Sequence, residues 1–175
     1  RNKVIFKNDI DSDSWNFSNQ KENFLLKKLF INSSKIKDIN TIDIKRGVTT
    51  GFDPAFIIDN DIKSTLNLSD DIKPLIKGAN IKKYFLTKTN LNLIFTRRGY
   101  DIESNQSIKD YLQRLYKDVK PKENNDKRGR KPGKDESSEI QDNIAYFQNF
   151  DKNKIVWPLT AANWGFALDY DKHYL

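Results

Sequence analysis

Apolar residues in this chain come in short runs whose spacing changes along its length. From Glu22 to Asn32, Phe24, Leu25, Leu29 and Phe30 fall near helical spacing with Lys27 and Lys28 opposite, which predicts a helix. Ile36, Ile39, Ile42 and Ile44 follow in a polar background, the last part alternating in strand fashion toward Gly47. Ala55 to Asp59 and Leu91 to Thr96 are compact strand candidates. The clearest helix runs from Ile108 to Val119. Ile108, Tyr111, Leu112, Leu115, Tyr116 and Val119 mark one face, Ser107 with Asp110 suggests a capping box, and Pro121 ends the segment. Lys120 to Glu139 is almost free of apolar residues and carries Pro121, Gly129, Pro132 and Gly133, which predicts a mobile basic loop. Strand-like runs return at Ile144–Phe147, Lys154–Trp157 and Gly165–Leu168.

Strands outnumber helices and mix with them irregularly. This predicts an α+β fold of small, irregular antiparallel or mixed sheets with two main helices, at about 22–32 and 107–119, rather than a doubly wound sheet. Residues 1–21 read as a polar lead-in and 22–175 as one domain, a size that can enclose a real core. The chain starts at Arg1, contains no methionine and stops at Leu175 without a polar tail. The expectation is a piece of a longer protein, cut short at its C-terminus.

Charge narrows the choice of partner. The chain has 31 Lys and Arg against 24 Asp and Glu, a net +7, and such a balance favours an anionic partner, most often nucleic acid. From Ile72 to Tyr100 there are seven cations, Lys73, Lys77, Lys82, Lys83, Lys88, Arg97 and Arg98, and no acid. Tyr84, Phe85, Phe95 and Tyr100 are interleaved with them. Clustered Lys and Arg bind a phosphate backbone by releasing its counterions; such contacts position a protein without reading sequence. A second basic patch, Lys127 to Lys134, contains Arg128-Gly129-Arg130, which resembles an AT-hook core. A solvated strand face and a basic surface loop are the plainer readings of the two stretches.

Catalytic chemistry is poorly represented. Without cysteine there is no disulfide, thiolate metal site or thiol nucleophile, and the single histidine, His173, rules out a His-rich metal site and reads as a surface residue. Asp53-Pro-Ala-Phe56 looks like a damaged Asp/Asn-Pro-Pro-Tyr/Phe motif of amino-methyltransferases, with Ala55 where the rigid second proline is needed. Asp151-Lys-Asn-Lys154 is the nearest approach to a nuclease motif and has no convincing partner acid. No catalytic residue, metal or cofactor is expected in this chain. No apolar run approaches the roughly 20 residues of a membrane span, so a cytoplasmic protein without a membrane partner is the simplest reading.

The order of the remaining segments resembles one family. Gly47, Thr50 and Gly51 form Gly-x-x-Thr-Gly, followed by Ala55-Phe-Ile-Ile58. Lys73, Pro74, Gly78, Ile81 and Tyr84 form a Lys-Pro-x-x-x-Gly segment with Ile and an aromatic after it. Leu93-Ile-Phe95, the pair Tyr111-Leu112, Lys154-Ile-Val-Trp-Pro158 and Phe166 to Asp169 follow in turn. This is similar to the TaqI-like C-terminal specificity domain, the target recognition domain of adenine-specific DNA methyltransferases, fused type II restriction-modification enzymes and BREX-type methyltransferases. The resemblance covers roughly residues 22–175. It departs at Ala145-Tyr-Phe147, where the family often has Trp-Tyr or Trp-x-x-Leu.

The resemblance implies a bacterial protein of restriction-modification or phage defence, with this part clamping duplex DNA and reading base edges. The catalytic methyltransferase domain of the same parent chain would hold S-adenosylmethionine and take the flipped adenine; an endonuclease activity in that parent is left open. In this frame Gly47, Gly51 and Gly78 form turns, and Thr49 and Thr50 face DNA. Lys73, Lys77, Lys82 and Lys83 contact phosphates, Arg128 and Arg130 reach DNA from the basic loop, and Arg97 and Arg98 contact phosphates or guanine. Two alternatives stay open: a single-strand nucleic-acid binder with bases stacked on Tyr84, Phe85 or Tyr100, and a regulatory domain meeting an acidic protein.

Overall fold

The computed structural model describes residues 20–31, 33–66, 70–115, 136–142, 144–160 and 165–175. The chain divides into two units, residues 1–45 and 46–175. In the first, helix α1 (Gln20–Ile31) confirms the amphipathic reading in position, with Glu22 in its first turn and Lys28 in its last, both favourable to the helix dipole. Phe24, Leu25, Leu29 and Phe30 are exposed. The segment read as alternating toward Gly47 holds a single 3-10 turn, Ile36–Asp38, and no strand.

The second unit is α+β, as the mixed pattern of runs predicts. Its elements are α2 (Asp53–Phe56), β1 (Ile57–Ile58), α3 (Asn60–Thr65), β2 (Ile72–Pro74), β3 (Ile81–Lys82), β4 (Phe85–Leu86), β5 (Asn92–Ile94), α4 (Gln106–Arg114), β6 (Lys154–Val156) and β7 (Ala167–Asp169). Among the described residues they form three small antiparallel sheets, β1–β5–β2, β3–β4 and β6–β7. β5 is central in the first, and Asn92, Leu93 and Ile94 are all buried, the run expected of a strand covered on both faces. Pro74 lies on the edge strand β2, where its missing N–H costs no ladder bond. Beyond it Leu75 bridges Tyr174 in parallel, with Tyr174 N–H donating to Pro74 O and Ile76 N–H to Tyr174 O.

Two apolar cores are formed among the described residues of the unit. The larger packs Ala55, Phe56, Ile58, Leu93 and Ile94 against Ile108 and Leu112 of α4 and against Ile140, Phe150 and Tyr174. The smaller joins Ile76 and Ile81 to Val156 and Ala167, and so ties the β3–β4 hairpin to the β6–β7 hairpin.

Three further expectations about the elements need correction. Ala55 to Asp59 is not one strand: Pro54 at the start of a helical turn, where its fixed φ is pre-organised, makes Asp53–Phe56 helical and leaves only Ile57–Ile58 extended. α4 is capped not by Ser107 but by Asn105, whose side chain accepts from Ile108 N–H at 3.2 Å; the Ser107 hydroxyl instead donates to Leu66 O. Ile144–Phe147 is not a strand but turn, leading into a 3-10 segment at Phe147–Asn149. Most of the loop expected at 120–139, with Arg128 and Arg130, and the end of the helix expected to reach 119 lie outside the described residues. No described helix is long and apolar enough to cross a membrane.

Candidate nucleic-acid interface

The turn at 47–51 is stitched down from two directions. Val48 N–H donates to Leu175 O at 2.5 Å, and a Cβ on Gly47 would lie 2.6 Å from that oxygen, so only glycine fits there. Asp142 pairs with Arg46 and accepts Thr49 N–H at 3.0 Å. Gly51 takes φ +80°, the left-handed region open to glycine. Thr49 is exposed, as the reading of a presented turn requires. Thr50 is not: it is buried and its hydroxyl donates to Asp53 at 2.6 Å. That bond fixes the entry to α2, and Thr50 is a structural residue rather than a DNA contact. Asp53 also meets Lys77 at 3.4 Å, so the Asp53-Pro-Ala-Phe56 segment serves as a local anchor.

The fold splits the basic run into two groups. Phe95 N–H donates to Asp71 O at one end of the β2–β5 ladder and Leu75 N–H to Leu91 O at the other. Arg97 and Arg98 lie beyond the first end, Lys77 beyond the second, and the ladder between spans about 13 Å. Acids absent from the run in sequence return to it in space. Asp71 accepts the Tyr100 hydroxyl at 2.7 Å, and buried Glu139 accepts Gly99 N–H at 2.6 Å. Burial first, then the hydrogen bond and charge of Asp71, push the Tyr100 phenol up to about 12. Tyr100 is thereby committed to the fold and does not offer a free stacking face. Arg97 sits 4.0 Å over the Phe147 ring and caps an aromatic cluster in which Tyr174 stacks on Phe150 at 4.8 Å and meets Phe95 edge-on at 4.9 Å.

The β3–β4 hairpin is different. Ile81 and Leu86 point to the smaller core, while Lys82, Lys83, Tyr84 and Phe85 are exposed. Gly78, in the turn before it, packs on Pro158, a Cβ there lying 3.1 Å from the proline's. Lys73, Lys82, Lys83 and Lys88 make no ion pair among the described residues. Of the proposed contacts, the hairpin thus brings Lys82 and Lys83 together in the open, Lys73 is half-buried on β2, and Lys77 is shared with Asp53.

One charged centre escaped the sequence reading. Asp169 is fully buried and accepts Lys154 Nζ at 2.5 Å, His173 N–H at 2.9 Å, Asp171 N–H at 3.1 Å and a contact with His173 Nδ1 at 2.8 Å. Burial opposes its charge most strongly, but the hydrogen bonds and charges of Lys154 and His173 outweigh it and hold the carboxyl below its usual range. His173 is accordingly not a surface residue but half of a fixed pair. Asp169, Asp171 and His173 place ligand atoms within 4.8 Å of one another. A cation there would have to displace the Lys154 ammonium, which already neutralises Asp169.

No family model and no curated protein matches this chain.

Proposed function

We propose that residues 46–175 bind duplex DNA as the target recognition part of an adenine-specific DNA methyltransferase of bacterial restriction-modification or phage defence. The observation that carries the reading is the β3–β4 hairpin, on which Lys82 and Lys83 stand exposed and without an ion pair among the described residues. Phosphates are the ligands such a pair attracts most strongly. The ordered segments from Gly47 to Asp169 support the narrower assignment by resemblance. Lys82 and Lys83 hold the backbone, Lys73 and Lys77 extend the track, and Thr49 and Arg98 flank it. Methyl transfer would belong to a catalytic domain of the same parent in the cytoplasm, with S-adenosylmethionine bound there. Binding of labelled duplex at rising salt tests the reading. Affinity should fall steeply, duplex should outcompete single strands, and Lys82→Glu/Lys83→Glu should weaken binding at least tenfold on every sequence and flatten the salt slope by about two. Absence of binding at low salt would overturn it, and single strands winning the competition would hand the site to single-strand recognition.

A further inference from the structure

We infer that the tip of the β3–β4 hairpin is a stacking site for an unpaired base, with Tyr84 as the platform and Lys82 and Lys83 on the flanking phosphates. Tyr84 is the most telling residue of the surface. It is 79% exposed and takes φ +76°, a left-handed conformation unfavourable to a residue with a Cβ. Glycine or asparagine would make the same turn more easily, so turn formation does not account for a tyrosine here. Nor does the core: the ring projects away from Ile81 and Leu86, which do the packing.

The tip is nevertheless held in place. Tyr84 N–H donates to Phe166 O at 2.8 Å, and the backbone of Lys82 and Lys83 lies against Gly165, where a Cβ would come within 3.6–3.7 Å of it. A backbone already held in place loses little entropy on binding. Its neighbours suit the same ligand. Lys83 Nζ lies 5.2 Å from the Tyr84 ring, Phe85 is exposed beside it, and Trp157 and Phe166 pair at 5.9 Å on the adjoining hairpin with both rings partly open. Aromatic faces interleaved with exposed lysines match the alternation of base and phosphate along a strand, and base–aromatic stacking is tolerant of sequence. An acidic protein would need carboxylates aligned to two lysines and an apolar strip at once; a nucleic-acid strand carries both features in its repeat.

This inference rests on the duplex-binding reading, since it uses the same lysines for phosphates. The test is a titration of the 175-residue chain with two duplexes of one sequence, one fully paired and one with a single unpaired 2-aminopurine, by its fluorescence. The native chain should prefer the unpaired base about tenfold, within the range of one stacked ring. Tyr84→Phe should keep that preference. Tyr84→Ala and Tyr84→Asn should abolish it without changing the salt slope, and Tyr84→Asn should also raise the Tm, which shows that the variant is folded. If the native chain binds the paired duplex but shows no preference, or if Tyr84→Asn retains it, the stacking site falls and duplex binding stands. If neither duplex binds at low salt, both fall.

Discussion

Thr96 is fully buried, and its hydroxyl has no hydrogen-bond partner among the described residues. A buried hydroxyl without a partner loses its hydration for nothing, at about 1–3 kcal/mol. Thr96→Val keeps the shape and removes the polar atom, and should raise stability by about 1 kcal/mol, read as a higher Tm; a lower Tm would show that the hydroxyl is bonded. Single residues were also where reading from sequence was least secure. Thr49 and Thr50 are adjacent and chemically alike, yet one faces water and the other Asp53. Nothing in their spacing distinguishes them, because Asp142 and Leu175, more than ninety positions away, decide how the turn is seated. Asp169 likewise gives no local signal, since Lys154 meets it across a strand pair.

At the scale of elements, legibility followed how much of each element's burial its own sequence encodes. β5 reads as a strand because it is covered on both faces, and β6 and β7 read as strands because their apolar runs survive on both sides of the register. α4 reads as a helix because Ile108 and Leu112 repeat at one turn. Its boundary was misplaced because Asn105 and Ser107 are both good capping residues, and only tertiary structure sends the serine to Leu66. Asn105→Ala should therefore lose about 1 kcal/mol in urea unfolding, whereas a loss confined to Ser107→Ala would restore the original boundary. Ile144–Phe147 failed for a different reason. Its aromatics contribute to a cluster around Phe150 and Tyr174, and they do so from turns, where alternation carries no meaning.

For the whole molecule, the titrating groups bound a pH range of stability. Asp169 has a lowered pKa in the fold, so its contribution is present above the unfolded carboxyl's pKa of about 3.9 and is lost as pH falls through the folded value. Tyr100 and Tyr174 are pushed up to about 12, Tyr174 by burial and then by Asp151. Their contribution is complete below the unfolded phenol's pKa of about 10 and is lost as pH rises toward the folded value. Urea midpoints should thus be level between about pH 5 and 9 and fall on both sides. Tyr100→Phe should soften the alkaline fall and leave the acid one; an unchanged alkaline limb would remove Tyr100 from the account. The contact of Val48 and Gly47 with Leu175 has a consequence of another kind. It makes the seat of the 47–51 turn depend on backbone far along the chain, so the turn gains its final form only when that long loop closes.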